Sequence, residues 1–423
     1  MNMINVRRLA VMTFLGAGML SDISAQDFSL QADTLNEARL PAQWDLQSCI
    51  DYALEQNITI RKNRVTAEST QIDVKTAKAA LFPSLSFSTS QQVVNRPYQE
   101  TSSRVSGSEI ISSNSKTSYN GNYGLNASWT IYNGSKRLKT LKQERLNNQV
   151  AELDVATSEN TIKESIAQIY IQILYAAESV RVNENTLQVS IAQRDRGQEL
   201  LNAGSIAKSD FAQLEAQVST DRYQLVTAQA TLQDYKLQLK QLLELDGENE
   251  MNVYLPNLSD ENVLAPLPAK KDVYVSALAI RPEIEASKLN VEASELGIDI
   301  AKSSYFPTIS LSAGIGTNHT SGSDFTFGEQ VKNGWSNSIG LSVSVPIFNN
   351  RQTKSAVQKA KLQRETDMLS LLDEQKALYK TIESLWLDAN SAQQRYAAAN
   401  EKLRSTQISY DLISEQFNLG MKN

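Results

Sequence analysis

The chain has 423 residues, of which 41% are hydrophobic and 21% charged, and its formal net charge is -6. The composition is that of a structured protein, and the mild acidity argues against nucleic acid as a partner, because no basic stripe could neutralise phosphates. Cys49 is the only cysteine, which excludes a disulfide framework and a thiolate metal cluster. It lies too far along the chain for an acylated lipoprotein terminus, so we expect a small buried side chain.

The first 25 residues have the pattern of an export signal. Arg7 and Arg8 precede an apolar run over 9–20, and small residues lead to Ala25, after which we expect cleavage. A buried core helix is the alternative, since a short apolar stretch also suits one.

The chain contains an internal repeat. Residues 80–86 resemble 304–310 at an offset of 224, and 125–133 resemble 341–349 at an offset of 216, which then continues to Gly420. Each half therefore has the same expected plan of helix, strand, loop, strand and very long helix.

The expected boundaries follow from this repeat and from the prolines. Residues 1–25 are the signal peptide, 26–245 repeat 1, 246–271 an equatorial linker and 272–423 repeat 2. The expected elements are strands at about 84–95, 118–132, 308–318 and 335–348, and helices at 135–202, 208–245 and 351–418.

Four windows of 17 or more residues carry no Asp, Glu, Lys or Arg: 79–95, 117–135, 303–323 and 333–350. Each alternates apolar residues with Ser, Thr, Asn or Gly, as transmembrane barrel strands do. A half-buried strand of a soluble sandwich gives the same alternation, but its solvent face usually carries charge. The expected lipid-facing positions include Leu85, Phe87, Leu125, Trp129, Ile309, Leu311, Leu341 and Val343.

Four strands cannot close a barrel, because even small barrels need about eight. Several copies must therefore share one, and the sequence alone permits two, three or four. Aromatic residues near the strand ends suit membrane-interface girdles, although core packing explains any one of them equally well. These aromatic residues are Tyr119, Tyr132, Trp335 and Phe348.

Residues 135–202 contain one glycine and no proline, which predicts a helix of roughly 100 Å. The segment after it has apolar residues at alternating steps of three and four, interrupted only by Asp221, which predicts coiled-coil packing. The other faces are rich in Gln, Asn, Ser and Ala, and suit either a water-lined wall or an ordinary solvated surface.

The two helices are joined by a turn at 202–210, where we expect Gly204 to end the first helix and Ser209 or Asp210 to cap the second. Residues 246–271 contain three prolines and predict a belt-like linker outside the helices.

In their order along the chain, several short motifs resemble the TolC-like outer membrane efflux family. They are Trp44-Asp45-Leu46, Cys49-Ile50-Asp51-Tyr52-Ala53-Leu54, the Phe-Pro strand entries at Phe82 and Phe306, Arg281-Pro282-Glu283-Ile284, and Phe417 with Gly420. The resemblance covers essentially the whole chain after the signal.

The resemblance implies an α+β membrane protein that acts as a homotrimer. Three copies of four strands would form a shared 12-stranded transmembrane β-barrel in outer membrane lipid, above a periplasmic α-barrel of coiled-coil helices. The family's members are exit ducts of tripartite efflux or type I secretion systems. They are passive conduits for small molecules or proteins, and they work with a periplasmic adaptor protein and, through it, an inner-membrane transporter.

The resemblance also places two turns at the closing periplasmic tip. Gly204 and Asp210 belong to one, and Phe417, Gly420 and Lys422 to the other. The family often has Tyr where Phe417 stands, which puts a hydroxyl-based latch in doubt. The sequence ends at Asn423, before the family's final returning helix, so we expect repeat 2 to be truncated.

Two other functions compete with a duct. An enzyme has little support, because His319 is the only histidine, and we expect no catalytic residue, metal site or cofactor. A structural or adhesive coiled-coil envelope protein would account for the helices, but not for four alternating windows without charge.

Overall fold

The structure is a computed structural model, and it describes residues 43–98, 102–106, 109–113, 116–245, 251–256, 263–321, 323 and 325–419. The expected signal peptide at 1–25 lies outside the described residues, as do Gly420, Lys422 and parts of the expected linker.

The described residues form eight helices and six strands. The helices are α1 (Leu46–Gln56), α2 (Ile58–Ala79), α3 (Lys136–Asn202), α4 (Lys208–Leu242), α5 (Lys270–Ile280), α6 (Pro282–Ser303), α7 (Phe327–Asn333) and α8 (Gln352–Asn418). The strands are β1 (Ser84–Asn95), β2 (Ser102–Ser106), β3 (Glu109–Ser113), β4 (Thr117–Asn133), β5 (Thr308–Thr320) and β6 (Ser336–Ser344).

One antiparallel sheet has four strands in the order β1-β4-β5-β6, and β2 and β3 form a separate hairpin. A bulge between Thr130 and Tyr132 shifts the register of β4 against β5. Because β1 and β6 are the outer strands, each has one edge without a partner in this sheet.

Three features of the strand region differ from expectation. β6 ends at Ser344 rather than near 348, because Pro346 has no N–H to donate to a ladder. The β2–β3 hairpin and α7 were not anticipated, since both are short elements inside connecting loops.

The helices of the two halves correspond to each other at the same residue offsets as in the sequence. α3 and α8 both have 67 residues and start and end at an offset of 216. α2 and α6 both have 22 residues at an offset of 224. Each long helix spans about 100 Å, at 1.5 Å per residue.

The helices beneath the sheet form one layer. α3 packs between α2 and α6, and α6 packs in turn against α8, so α2 and α8 are the outer members. Further along, α3 pairs with α4, and α5 packs on α8. The layer therefore has two broad faces and two lateral sides.

A buried core surrounds the middle of α3. It consists of Trp44, Cys49, Ala53, Ile166, Tyr170, Ile173, Leu239, Leu243, Met251 and Val253. Backbone pairing holds the incoming chain there, since Trp44 N donates to Asn252 O at 2.9 Å and Tyr254 N to Trp44 O at 2.9 Å. Cys49 is fully buried, as expected, and burial raises the pKa of its thiol to about 12.

The passage from sheet to helix depends on Gly134, which follows β4. Its φ is +66°, and a Cβ atom there would lie 2.7 Å from Ser303 O and 2.9 Å from Phe306 Cβ. The Ser303 hydroxyl, 2% exposed, donates to Gly134 O at 2.9 Å. The two repeats are thus joined by a contact that leaves no room for a side chain.

We expect Gly134→Ala to lower the free energy of unfolding by about 1–3 kcal/mol, because it combines a strained φ with a backbone clash. Denaturant unfolding in detergent, followed by circular dichroism, measures the change. Gly328→Ala is the control, since a Cβ atom there meets nothing within 4 Å. Equal effects of the two substitutions would contradict the argument.

Candidate conduit wall and membrane-facing sheet

The expected apolar positions share one face of the sheet. Residues that pair directly across neighbouring strands lie on the same face. The pairs are Phe87–Leu125, Leu125–Ile315, Trp129–Leu311, Leu311–Leu341 and Ile309–Val343, with Leu85 opposite Ala127. All eight expected positions therefore form a single apolar surface.

That surface is largely uncovered within one chain. Leu85 is 70% exposed, Phe87 68% and Leu341 65%. Contiguous apolar surface of this kind marks contact with a lipid or a protein rather than with water.

The opposite face of the sheet consists of Ser, Thr, Asn, Gln and Gly, with Val94 as the apolar exception in the four paired strands. The hydroxyls bond across the strands: the Ser84 and Ser128 hydroxyl oxygens lie 2.8 Å apart, and Ser342 Oγ donates to Ser310 O at 3.4 Å. This face is polar without carrying charge.

His319 lies at the end of the apolar face that is farther from the helices. Its ring packs 5.2 Å from that of Tyr119 and 5.1 Å from that of Phe327 in α7. Gly121 makes room for it, because a Cβ atom there would lie 2.4 Å from His319 Cε1. Among the described residues no cluster of His, Cys, Asp or Glu could hold a metal ion.

The helical layer has a groove on one face whose lining, among the described residues, carries a single charged residue, Asp367. This groove lies between α3, α6 and α8 and has a volume of about 430 Å³. Its lining residues are Gln143, Ser287, Asn290, Ala293, Ser294, Gly297, Ala360, Gln363, Asp367 and Ser370. Small side chains, hydroxyls and amides dominate this wall.

A second groove, between α6 and α8, is charged and has a volume of about 710 Å³. It is lined by Glu292, Glu295, Leu296, Ile298, Asp299, Lys302, Lys361, Arg364, Glu365 and Met368. Several charges pair there: Arg364 lies 2.6 Å from Glu295, and Lys302 3.2 Å from Asp299. The two grooves therefore differ sharply in charge.

Residues 263–269, here called the strap, lie against α8. Trp386 Nε1 donates to Pro268 O at 3.1 Å, and Gln393 Nε2 donates to Ala265 O at 2.7 Å and to Val263 O at 2.9 Å. The Lys270 ammonium lies 4.7 Å from the centre of the Trp386 ring. These bonds hold the non-helical segment on one side of α8.

Asp221 occupies a seam position between α3 and α4 and is 4% exposed. Ser190 Oγ of α3 donates to one of its carboxylate oxygens, and Gln217 Nε2 donates to the other at 2.9 Å. The residue that interrupts the apolar pattern thus has polar partners, one of them on the facing helix. A matched polar pair of this kind favours one register of a coiled coil.

The turn at the far end of α3 contains Gly204, whereas Asp210 lies in the first turn of α4. Gly204 has a φ of +71° and directly follows the C-cap residue, Ala203. The N-cap residue of α4 is Ala207 rather than Ser209 or Asp210, and both of these residues lie inside the first turn of the helix.

Asp210 still helps to cap α4, because its carboxylate accepts a 3.4 Å hydrogen bond from Ala207 N. Phe417 of the other expected turn lies in the last turn of α8, which ends at Asn418.

The grooves were missed at the sequence level, although α6 carries a signal for both. Its uncharged lining residues Ser287, Asn290, Ser294 and Gly297 recur at steps of three and four, and so do Glu292, Glu295, Asp299 and Lys302. Two interleaved helical stripes of different charge predict two faces of different chemistry. Among the described residues, no helix is both long and apolar enough to cross a membrane.

The model of the outer membrane efflux protein family matches residues 49–244 and 273–423. The chain therefore belongs to the outer membrane efflux protein family. The class expected from its motifs is confirmed, and with it the outer membrane location.

Two curated relatives show how much of the family's length is shared. The chain is 25% identical over 266 residues to outer membrane efflux protein BepC of Brucella suis, an alignment that covers 62% of this chain and 55% of BepC. It is 24% identical over 312 residues to outer membrane protein TolC of Escherichia coli, covering 70% of this chain and 61% of TolC. In both alignments the chain spans less than two thirds of the relative.

Solved structures share the fold. The chain superposes on CusC with a TM-score of 0.73 at 19% identity, covering 91% of this chain and 84% of CusC. It superposes on the outer membrane protein VceC of Vibrio cholerae with a TM-score of 0.72 at 16% identity, covering 89% and 87% of the two chains. The expected fold class, long helices with a four-stranded antiparallel sheet, is confirmed.

Proposed function

We propose that this protein is the outer-membrane exit duct of a tripartite efflux or type I secretion system. It is a passive conduit rather than an enzyme, and its helices extend into the periplasm. One observation carries the proposal. The same chain contains a sheet without charged residues, with one apolar and one hydroxyl-rich face, and helices of about 100 Å.

The apolar face of the sheet is the lipid-facing one in this proposal. Alternation of apolar and small polar residues suits a strand with lipid on one side and water on the other. The lipid-facing positions are Leu85, Phe87, Leu125, Trp129, Ile309, Leu311, Leu341 and Val343. The hydroxyl-rich face then lines the lumen.

The free edges of β1 and β6 support assembly from several copies, because an unpaired strand edge cannot stand in hydrocarbon. The outer helices carry matching exposed stripes. Ile58, Val65 and Ile72 of α2 recur every seven residues and are 54%, 64% and 59% exposed, and Leu362 and Leu369 of α8 are 63% and 61% exposed. A homotrimer gives three times four, or twelve, strands in one barrel.

Gly204 and Asp210 lie close to the end of α3 that is away from the sheet, which supports a role for them at a closing periplasmic tip. Phe417, Gly420 and Lys422 are proposed for the matching turn. The tip would open with a periplasmic adaptor protein and, through it, an inner-membrane transporter. The relatives include a cation efflux protein, CusC, and a pyoverdine export protein, OpmQ, so their names point to no common cargo.

The purified full-length protein should require detergent, run as a trimer and conduct ions in planar bilayers. Chromatography with light scattering and single-channel recording measure these properties. A monomer that stays soluble without detergent and conducts nothing would refute the duct.

The orientation of the sheet is tested by a matched pair of neighbours on β6. Leu341→Arg should reduce assembled trimer in the outer membrane, since an arginine facing lipid at mid-depth costs about 2–4 kcal/mol. Ser342→Arg, on the opposite face, should still assemble. Heat-modifiable migration on gels measures the trimer, and the reverse result would invert the proposed faces.

The tip is tested by Asp210→Ala. If Asp210 contributes about 1 kcal/mol to closing contacts, its loss shifts the closed–open balance about fivefold and raises leak of a large hydrophilic antibiotic. Growth inhibition of cells that carry the variant measures the leak. Glu215→Ala, an exposed residue of the same helix, is the control, and an unchanged leak in Asp210→Ala would remove Asp210 from the tip.

A further inference from the structure

The free edge of β1 presents the backbone groups of its odd-numbered residues. Arg96 N donates to Lys116 O at 2.6 Å, and these two residues lie one step beyond the last pair of β1 with β4, Asn95–Thr117. In an antiparallel ladder, opposite residues that exchange hydrogen bonds alternate with opposite residues that do not. The even-numbered residues of β1 therefore bond to β4, and the odd-numbered ones direct their N–H and C=O groups away from it.

The free edge of β6 has the same parity. Ser321 N donates to Tyr119 O at 2.7 Å, so odd-numbered residues are the bonded ones between β4 and β5. A strand bonds to its two neighbours through alternate residues, so even-numbered residues join β5 to β6. The odd-numbered residues of β6 are left for its free edge, and their side chains, like those of β1, lie on the apolar face.

The sheet also shows which residues of β1 and β6 are level within one copy. A line across the four strands joins Gly340, Ser312, Ser128 and Ser84. Because the strands of a barrel are tilted, the continuation of this line meets β1 of the next copy some residues away from Ser84, a displacement here called the stagger. The stagger has to be even, because a slip by one residue would bring an apolar face against a polar one.

The tilt of barrel strands limits the stagger to two values. For twelve strands about 4.8 Å apart that rise about 3.3 Å per residue, a stagger of four residues per copy gives a tilt of about 35°, and a stagger of six gives about 45°. Two and eight residues give about 20° and about 55°, outside the usual range of about 35–45°.

The free edge of β1 distinguishes these two values. Its odd-numbered residues lie between 85 and 95, and in hydrocarbon each of their backbone groups needs a partner. A stagger of six places them opposite the odd-numbered residues of 335–345. A stagger of four would place Asn95 opposite Asn333, which is helical in α7 and cannot extend a ladder. Six residues therefore cover the whole edge.

The start of α8 and the end of α2 agree with this stagger. Val345 lies beyond the last pair of β6 with β5, so it is available to the next copy. Pro346 is even-numbered, so its missing N–H concerns the side toward β5 and not the free edge. A stagger of six in the opposite sense would place Ser342 level with Thr76, which lies in α2 and not in a strand.

We propose that β6 of one copy pairs with β1 of the next in this register, so that Ser342 lies opposite Ser88 and Val343 opposite Phe87. The inference rests on the proposed duct and its three copies, and it assigns the seam of the barrel residue by residue. On the polar face the seam joins serine to serine. On the apolar face it continues the hydrophobic surface from one copy to the next.

The test is disulfide cross-linking of the full-length protein in outer-membrane vesicles. Ser86, Ser88 and Ser90 are matched, since all three are exposed serines of the polar face. Each is changed to cysteine together with Ser342→Cys, and oxidised samples are compared on non-reducing gels. Opposite residues of a pair that is not hydrogen-bonded have Cα atoms about 4.5 Å apart, which suits a disulfide.

Ser88→Cys with Ser342→Cys should therefore yield covalent dimers and trimers, at least about fivefold more than the other two pairs, whose diagonal separation of about 7–8 Å exceeds the reach of a disulfide. Within one copy β1 and β6 lie about 14 Å apart, so an internal disulfide cannot form. Ser342→Cys alone is the control. It should stay unlinked, because the native Cys49 is fully buried.

Stronger cross-linking through Ser86→Cys or Ser90→Cys would overturn the register and leave the duct intact. The same conclusion follows if no pair cross-links in a protein that light scattering shows to be a trimer before oxidation. A protein that is monomeric and conducts no ions would overturn the duct itself, and the register with it.

Discussion

A β-strand in a membrane has no water to satisfy its backbone, so each N–H and C=O must find a partner in protein. In this chain β4 and β5 are paired on both sides, whereas β1 and β6 each have one free edge. The period of two along the strands puts apolar side chains on one face only, so the sheet also needs a lipid on one side and water on the other. In the proposed assembly, closure through other copies would meet both requirements.

The helices are joined to the strands in the same way in both repeats. α2 and α6 have the same length and lead into β1 and β5. The Ser303–Gly134 contact then ties the end of α6 to the start of α3. Arg137 adds to this junction, since its guanidinium donates to Thr130 O and Ala80 O.

The two repeats make different contacts at the middle of their long helices. The middle of α3 is fixed by buried apolar side chains, including Ile166 and Ile173, which are 0% exposed. α8 is held at the corresponding level by hydrogen bonds from Trp386 and Gln393 to the strap. Apolar burial excludes water, whereas bonds at an exposed strap compete with it. Among the described residues, apolar burial therefore fixes the middle of α3, and hydrogen bonds to the strap fix the middle of α8.

The sequence was most informative where a single repeating pattern of residues extends over a long segment. Alternation by two placed the eight apolar positions on one face, and the offset of 216 located both ends of α8 from those of α3. Prediction failed where a single local contact decides the outcome. Pro346 shortens β6, and the extended backbone at Ala207 starts α4 before Ser209. α7 begins with reciprocal bonds between Thr326 and Glu329 inside a connection that the repeat does not define.

The groove between α3, α6 and α8 resembles the strand windows in chemistry, because nine of its ten described lining residues are uncharged. Hydroxyls and amides hydrogen-bond to water and to passing solutes of either sign, but they hold none of them strongly. A conduit needs such a wall, because a solute that binds too well does not leave. The other groove of the layer carries mixed charges, and there Arg364 lies 2.6 Å from Glu295.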